Sequence, residues 1–421
     1  MIKKFNYITL VFLLFGSSIF AQNNLSSPYS RYGIGQLNNR NTIFCTSMGG
    51  LGQAIQMPFV INSANPASYN AIDTLGFIVD GSLVAINTKS QTESLQQTAG
   101  YSSLGNFNVG FTVYKGWKTA IGILPFSDVG YKISSAGTDS SLGTHTYRYN
   151  GNGGLTQVYW GNSLRITRGL SIGLNTSYLF GSINKERIVE FKDMTILGLN
   201  TKSKTYINGF QFLLGAQYKK SFKNDYYLVL GATTGLTSSL NATDDVLTTS
   251  FLLNSTSSYI TKDTIENFTN KSGKIELPLS AGGGLTFGKE DKFLIGMDMN
   301  WQNWSKYSIF NVNDSLSDSY QISIGGMYVV NPQSAKFLQK IRYRAGIRYA
   351  KSYLELKNSN INDFGINFGV SIPLRKKNSL NIGVEFGQKG TISNNLIKET
   401  YTRVFIGFQL WDNMFVRRKL D

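Results

Sequence analysis

The chain has 421 residues and a formal net charge of +16 at pH 7, yet only 16% of its residues are charged. Aromatic residues make up 13%, and there are 43 glycines but only 7 prolines. A soluble exported protein usually carries more charge, whereas many glycines and aromatic residues suit closely packed strands. The basic residues are scattered over turns and loops, without a basic helix or an aromatic RNA-binding motif, which argues against a nucleic-acid partner.

The first 21 residues have the pattern of a secretory signal peptide. Lys3 and Lys4 supply its charged start, residues 7–15 its apolar stretch, and small residues lead to a cleavage site after Ala21. Downstream there is no continuous run of about 20 apolar residues, the length that a membrane-spanning helix requires. The mature protein is therefore expected to leave the cytoplasm without a helical membrane anchor.

Between about residue 75 and residue 412, apolar and polar residues alternate with a period of two in one segment after another. In residues 292–302 one face carries Phe293, Ile295, Met297, Met299 and Trp301, and the opposite face carries Gly296, Asp298, Asn300 and Gln302. Successive side chains of a strand point to opposite faces, so one face here suits hydrocarbon and the other suits water.

About 14 segments show this alternation, and closed bacterial barrels have an even number of strands. We therefore predict an all-β protein, a transmembrane antiparallel β-barrel over residues 75–412 in the outer membrane of a Gram-negative bacterium. A soluble β-sandwich is the alternative, but its outward face would carry more lysine and glutamate. Attraction to lipopolysaccharide phosphates, or retention of basic turns on the periplasmic side, explains the positive charge.

The connections between the segments support this topology, because outer-membrane barrels have short periplasmic turns and long outward loops. Short links such as Gly116-Trp117 alternate with longer stretches, and the turn at 332–340 is the one long exception on the periplasmic side. Both termini are then periplasmic, and the longest surface loop is predicted over residues 241–273. A short basic tail, residues 413–421, follows the last strand.

Residues 22–74 do not follow the strand pattern, and they are not a charged tail either. A lumen of 14 strands would otherwise be open to water, so this segment fits an N-terminal hatch, or plug, inside the barrel. Gly49, Gly50 and Gly52 are expected in a tight turn of the hatch. A phosphate cradle is disfavoured, since no strand precedes these glycines and no P-loop lysine follows them.

Several short motifs resemble a known family. They are Met48-Gly49-Gly50, the triplet Asn65-Pro66-Ala67 just before the first strand, and the N-terminal Ser27-Pro28-Tyr29-Ser30-Arg31-Tyr32-Gly33. With the strand count and the length, they are similar to the long-chain fatty-acid transporter (FadL/TodX, OMPP1) family of outer-membrane proteins, in its Bacteroidetes type. The resemblance implies a hatch-occluded barrel, with Asn65, Pro66 and Ala67 matching the hatch motif, and sideways release beside a kinked third strand.

Pro125 lies within the third predicted strand, between Ile121 and Val129, and gives a physical basis for such a kink. Proline cannot donate to the hydrogen-bond ladder, so it is found at bulges or edges. We expect Pro125 to mark the kink and the lateral opening. A proline tolerated at an ordinary bulge or strand end is the alternative interpretation.

Arg342, Arg344 and Arg348 fall on the polar face of the eleventh predicted strand and are expected to line the lumen. They could hold a substrate carboxylate by charge-assisted hydrogen bonds. The alternative is that they pair with the hatch or with lumen acids such as Asp298 and Glu385. This second interpretation is favoured, because a polar lumen packed with a plug needs such pairs.

The sequence favours no enzymatic activity, metal or cofactor. The only histidine, His145, falls in a predicted surface loop, so a serine–histidine triad would depend on it. Asp244 and Asp245 in the longest predicted loop lack the spacing of an EF-hand, and there is no histidine–cysteine cluster for zinc. The single cysteine, Cys45, is expected to be a small buried residue.

These observations predict an outer-membrane channel for passive uptake of hydrophobic molecules, such as long-chain fatty acids, with hatch-gated lateral release near the third strand. The expected partners are the hydrophobic ligand, outer-membrane lipid and lipopolysaccharide. A FadL-like barrel also serves type IX secretion in Bacteroidetes, so a role as a binding partner of secretion-machinery proteins is the alternative. A general porin is a third, which the predicted plug disfavours.

Overall fold

The computed structural model describes most of the chain, namely residues 27–38, 41–140, 143–254, 258–374 and 377–413. The signal peptide predicted over residues 1–21 lies outside the described residues. So does the basic tail predicted over 413–421, apart from Asn413.

Fourteen antiparallel strands form a closed barrel, which confirms the predicted fold class and strand number. They are β1 (Gly76–Gln91), β2 (Gln96–Tyr114), β3 (Trp117–Asp139), β4 (Gly143–Arg165), β5 (Leu170–Phe191), β6 (Gly198–Ser221), β7 (Tyr226–Gly235 and Ser238–Leu253), β8 (Tyr259–Leu277 and Ser280–Lys289), β9 (Phe293–Gln302), β10 (Ser319–Val329), β11 (Arg342–Leu356), β12 (Ser359–Pro373), β13 (Ser379–Lys389) and β14 (Lys398–Asn413). Pairing of β14 with β1 along their whole length closes the sheet.

Several short elements accompany the barrel. They are the two-residue strands Gln36–Leu37, Ser308–Ile309 and Val312–Asn313, the α-helices Ile43–Thr46 and Phe337–Lys340, and the 3-10 helices Pro28–Arg31, Pro66–Ala71, Lys223–Asp225, Trp304–Lys306 and Ser393–Asn395. In the part of the chain that the structure describes, no helix has the length and apolar character needed to cross a membrane.

The two faces of the wall differ as the alternation predicts. On β9, the outward side chains of Ile295 and Met299 are 59% and 52% exposed, whereas the inward Asp298 is 2% exposed. We call the end of the barrel where β1 begins and β14 ends the lower end, and the opposite end the upper end.

The wall is much taller on one side than on the other. β3 to β8 continue far beyond the upper ends of β9 and β10. The upper parts of β7 and β8 pair with each other, from Ser238 opposite Leu277 up to Leu253 opposite Tyr259. The surface loop predicted over residues 241–273 is therefore wrong, because β7 extends to Leu253 and β8 already begins at Tyr259. Residues 259–274 are almost all exposed, so no lipid-facing alternation marks these strands in the sequence.

The described part of the N-terminal segment, residues 27–38 and 41–75, lies largely inside the barrel. Its backbone approaches the inner wall so closely that several wall residues must be glycine. A Cβ atom at Gly346 would collide with the backbone of Met48 and Gly49, and one at Gly231 would collide with the carbonyl of Gln53. The inward glycines of the strands thus form a seat for this segment.

Candidate functional site: the lumen and a gap in its wall

The pairing between β2 and β3 covers only the lower part of these strands. Phe107 with Ile123 is the uppermost pair between them. Above it, residues 96–106 of β2 pair with β1, and the rest of β3 pairs with β4. The wall therefore has a gap in its backbone hydrogen bonding between β2 and β3.

Pro125 lies at the start of this gap. The register of β3 with β4 shifts between Pro125 and Ser127, which marks a β-bulge. Proline has no N–H to donate to a ladder, and a bulge bends the strand that carries it. Pro125 therefore accompanies a local bend of β3 where its pairing with β2 ends.

Part of the freed edge of β3 is covered by the N-terminal segment. Gln36–Leu37 pairs antiparallel with Ser127–Asp128. The backbone N–H of Asn38 donates to the carbonyl of Phe126 over 3.0 Å, and that of Ser27 donates to Gly130 over 3.1 Å. We call residues 27–38 the strap and residues 41–75 the body of the N-terminal segment.

A cavity of about 340 Å³ lies between the strap, the body and the wall. Its apolar lining includes Leu37 of the strap and residues beside the gap, namely Val84, Leu104, Pro125 and Phe126. Its polar lining includes Asp298, Asn300, Gln321, Arg348, Glu385 and Arg403. The cavity thus has an apolar side at the gap and a charged side on the inner face of β9 to β14.

The charged side is a network of paired side chains around Arg348. This guanidinium donates to Glu385 over 2.7 Å, to Asp363 over 3.1 Å and to the hydroxyl of Tyr401 over 2.7 Å. Arg403 lies 3.4 Å from the second carboxylate oxygen of Glu385. Arg348 therefore pairs with lumen acids, one of which is the predicted Glu385.

Arg344 and Arg342 contact the body instead. The guanidinium of Arg344 lies 4.8 Å from the ring centre of Phe44, and that of Arg342 lies 4.5 Å from the ring centre of Phe59. Arg344 is 3% exposed, and two of its nitrogen atoms, Nε and Nη1, have no hydrogen-bond partner among the described residues. These two arginines hold aromatic side chains of the body by cation–π contacts.

Asp298 has a role that the sequence did not indicate. Sequence analysis considered it a partner for the arginines, but its Oδ2 atom accepts hydrogen bonds from the backbone N–H of Gly52, over 2.6 Å, and of Gln53, over 2.8 Å. The side chain of Gln53 donates to Asn300, which lies on the same strand as Asp298. A lone carboxylate among the glycine and amide residues of an inward strand face is the one sequence signal that could have drawn attention to this anchor.

The triplet Asn65-Pro66-Ala67 lies against the wall formed by β4 and β5. Asn65 caps the helix Pro66–Ala71, since its Oδ1 atom accepts from the N–H of Ala67 over 3.1 Å, and its Nδ2 atom donates to the carbonyl of Gln53 over 2.7 Å. The carbonyl of Ala67 accepts hydrogen bonds of 3.0 Å from Ser163 on β4 and Ser171 on β5. The triplet thus joins two parts of the body to the wall.

An apolar cluster fills the upper end of the lumen. It combines Tyr29 and Ile34 of the strap with Trp304, Tyr307 and Tyr353 of the wall and its connections. The rings of Trp304 and Tyr353 are stacked with their centres 4.6 Å apart. The connection between β9 and β10 brings Trp304 into this cluster, where its side chain is buried.

Cys45 is fully buried in the body, as expected. Burial raises the pKa of its thiol to about 12. Because Cys45 is the single cysteine of the chain, its reactivity reports on whether the body stays in place.

The other sequence candidates lie away from the cavity. His145 is in β4 and not in the predicted loop. Asp244 is in β7 and accepts hydrogen bonds from Ser203 and Thr205. Within the described ranges, no group of three or more histidine, cysteine, aspartate or glutamate side chains is arranged to hold a metal ion.

Solved structures with the same architecture include two toluene transporters and a FadL homologue. The toluene transporter TbuX of Ralstonia pickettii is 14% identical, with a TM-score of 0.59 over 88% of this chain and 98% of that chain. The toluene transporter TodX of Pseudomonas putida is 15% identical, with a TM-score of 0.58 over 90% and 99%. A FadL homologue of Pseudomonas aeruginosa is 10% identical, with a TM-score of 0.60 over 90% and 99%. This likeness confirms the expected FadL/TodX-type fold.

No curated protein matches the chain. A family model described as BamG matches residues 1–421, which is the whole chain. This name differs from that of the fatty-acid transporter family expected from the short motifs. The resemblance to the fatty-acid transporter family therefore holds at the level of the fold. The chain belongs to the BamG family.

Proposed function

We propose that this protein is an outer-membrane channel for passive uptake of small apolar molecules, in which the N-terminal segment acts as a hatch and the cargo leaves sideways through the gap between β2 and β3. The observation that carries this proposal is that the residues beside the gap also line the cavity. An apolar molecule in the cavity would therefore contact Leu104, Pro125 and Phe126 on its way to the surrounding lipid. Movement down a concentration gradient requires no energy source.

Membrane placement is supported by the outward face of the barrel. Large apolar side chains with 37–59% exposure cover strand after strand, among them Phe210, Phe212 and Leu214 on β6 and Ile295, Met297 and Met299 on β9. Such a surface would be unstable in water over so large an area. In hydrocarbon it costs nothing, and the closed sheet leaves few backbone groups unpaired.

The strap and the body have separate proposed roles. The strap covers the edge of β3 at the gap, so its displacement would widen the exit. The body closes the lower end of the lumen, held by Asp298, by the triplet Asn65-Pro66-Ala67 and by Arg342 and Arg344. Pro125 keeps the upper part of β3 from continuing the ladder with β2.

The charged side of the cavity narrows the class of cargo. Arg348 is already neutralised by Asp363 and Glu385, so a ligand carboxylate would compete with two protein carboxylates. We therefore favour a cargo that places an apolar part at the gap and carries only neutral hydrogen-bonding groups. A cargo whose binding depends on Arg348 is disfavoured.

A matched pair of substitutions tests the exit. Ser103 of β2 lines the cavity beside the gap, while its neighbour Ser102 points to the opposite face. We expect Ser103→Trp to lower uptake of a radiolabelled long-chain fatty acid or toluene at least tenfold in cells that express only the variant. Ser102→Trp should leave uptake unchanged. Equal uptake by the two variants and by the wild type would contradict lateral release.

A second candidate function is a protein-binding component of the outer membrane, including a role in secretion. The tall upper wall of β3 to β8 favours it, because this wall exposes Ile260, Ile265 and Phe268 beyond the lipid-facing band. Replacing residues 244–271 by a short turn would remove this surface and leave the gap intact. Loss of co-purifying proteins with unchanged uptake would favour this second function.

A further inference from the structure

The lipid-facing wall has a shallow groove near its lower end. It is apolar, has a volume of about 910 Å³ and spans β9 to β14. Its floor consists of the small outward residues Gly326 and Ala345, which pair with each other across β10 and β11. Ile295 and Phe368 continue the same row on both sides, and Tyr328 and Tyr343 form the next row below.

A cluster of cations lies at the lower rim of this groove. The Nζ atom of Lys292 is 5.8 Å from the ring centre of Tyr328 and donates to the carbonyl of Val330 over 3.0 Å. Lys336 and Lys340 belong to the connection 330–341, in which residues 331–341 contain no acidic residue. Two acids are nearby: Glu290 is paired with Lys219 over 2.6 Å, and Asp291 directly precedes Lys292.

The helix Phe337–Lys340 in this connection exposes two apolar side chains beside the groove. Phe337 and Leu338 are 54% and 67% exposed. The hydroxyl of Tyr343 donates to the carbonyl of Leu338 over 3.1 Å, which ties the helix to a lipid-facing side chain. Apolar side chains flanked by lysines at this level match the boundary between hydrocarbon and headgroups.

We propose that the groove and the lysines form a binding site for one anionic phospholipid of the periplasmic leaflet. An acyl chain would fill the depression over Gly326 and Ala345, and Lys292, Lys336 and Lys340 would surround the phosphate. Apolar contact with the groove would bind the acyl chain of the lipid, and the positive rim would favour an anionic headgroup. The proposal rests on the membrane placement given above and does not depend on transport.

The barrel contains its own control for the groove. Gly283 of β8 pairs with Ala232 of β7 and also faces outward, with open space where a Cβ atom would be. This pair lies two outward rows higher, since Gly283 is opposite Met299 and Gly326 is opposite Ile295. Four residues along a strand correspond to about 13 Å, so a headgroup at the lower rim cannot reach the control depression.

The test is native mass spectrometry of the whole barrel, released from a mild detergent after incubation with phosphatidylglycerol or phosphatidylcholine. The wild type should retain one phosphatidylglycerol with at least a tenfold preference over phosphatidylcholine. Ala345→Trp should lose this lipid, and the double variant Lys336→Gln/Lys340→Gln should lose the preference. Gly283→Trp should behave as the wild type does, and so should Lys220→Gln/Lys223→Gln, which changes two lysines at the lower end of β6, away from the groove.

Retention by Ala345→Trp at the wild-type level, or an unchanged preference in the lysine variant, would overturn the site. The lysine variant keeps the test valid if Ala345→Trp does not fold. A photoreactive side chain at position 345 gives a second measurement in native membranes, and an adduct with a protein in place of a lipid would also overturn the proposal. A barrel that needs no detergent would refute the membrane placement, which is a different outcome from a membrane-inserted barrel without a preferred lipid.

Discussion

The strap and the body of the N-terminal segment are bound to the same barrel in different ways. The body is held by side chains and by shape: Asp298 accepts from two backbone N–H groups, and the inner wall carries glycines where the body approaches. The strap is held at Gln36–Leu37 and Asn38 by hydrogen bonds along one strand edge, while Tyr29 and Ile34 anchor its first part in the apolar cluster. Edge pairing is exchangeable with another strand or with water, whereas a close-packed seat is not. One segment can thus contain a fixed part and a displaceable part.

The largest expected effect comes from filling the seat of the body. Gly346→Leu places a side chain where the backbone of Met48 and Gly49 lies. Overpacking a close-packed site costs about 1–3 kcal/mol even when side chains can adjust, and here a backbone must move. We expect the body to leave its seat and Cys45 to react completely with a maleimide under conditions that leave the wild type unlabelled.

The same variant should also conduct ions in planar bilayers, because an unplugged lumen of 14 strands fills with water. Gly283→Leu is the matched control, since nothing lies within 4 Å of a Cβ atom at that outward glycine. If Cys45 stays unreactive in a folded Gly346→Leu barrel, the glycine seat does not hold the body.

Removal of the carboxylate anchor is expected to have the next largest effect. Asp298→Ala leaves the buried N–H groups of Gly52 and Gln53 without their acceptor, and hydrogen bonds to a charged group contribute about 1.5–3 kcal/mol each. A loss of about 3 kcal/mol corresponds to an increase of roughly 100-fold in the rate of Cys45 labelling. Asp245→Ala on the upper part of β7 is the control, and equal labelling rates for the two variants would contradict the anchor.

Asp298 also shows where sequence reasoning stops. Alternation alone placed it on the inward face of β9, because a strand has a period of two and lipid accepts only apolar side chains. Its partners lie in a segment without periodicity, 245 residues or more away along the chain, so no local pattern could identify them. The same holds for Arg344 and Arg342, whose partners Phe44 and Phe59 belong to that segment.

The upper wall marks a second limit. The lower parts of the strands were predictable, because hydrocarbon enforces the alternation on one face. In the upper part of β8, polar residues occupy both faces, and the hydrogen-bond ladder with β7 maintains the strand despite register shifts such as that between Phe268 and Lys271. A sequence of this kind is typical of a loop, and only the pairing makes it a hairpin.

A pH increase should loosen the body before the strap, through Cys45. Burial raises the pKa of the thiol from 9.0 to about 12, so the folded state holds the proton more tightly than the displaced state does. The thiol's contribution is fully present below pH 9 and is lost as the pH rises towards 12. At pH 10 the loss is about 1 kcal/mol.

This effect can be measured as ion conductance of the wild type between pH 8 and pH 11, with Cys45→Ala as the reference. Tyrosines also titrate in this range, and the reference variant subtracts their contribution. Identical pH profiles for the wild type and Cys45→Ala would contradict this prediction, because ionisation of the thiol would then have no effect on the position of the body.

The smallest expected effect concerns the strap and separates it from the body. Asn38→Pro removes the backbone N–H that bonds the carbonyl of Phe126, at a cost of about 1 kcal/mol. Asn38→Ala is the control, because it keeps this N–H and loses only the side-chain contact with Asp128. If the strap limits access to the gap, Asn38→Pro should raise uptake of an apolar tracer about fivefold. Labelling of Cys45 should stay within about twofold of the wild-type rate, because every contact of the body remains. An increase in both readouts would show that strap and body move together, and the division of the N-terminal segment into a fixed and a displaceable part would then be wrong.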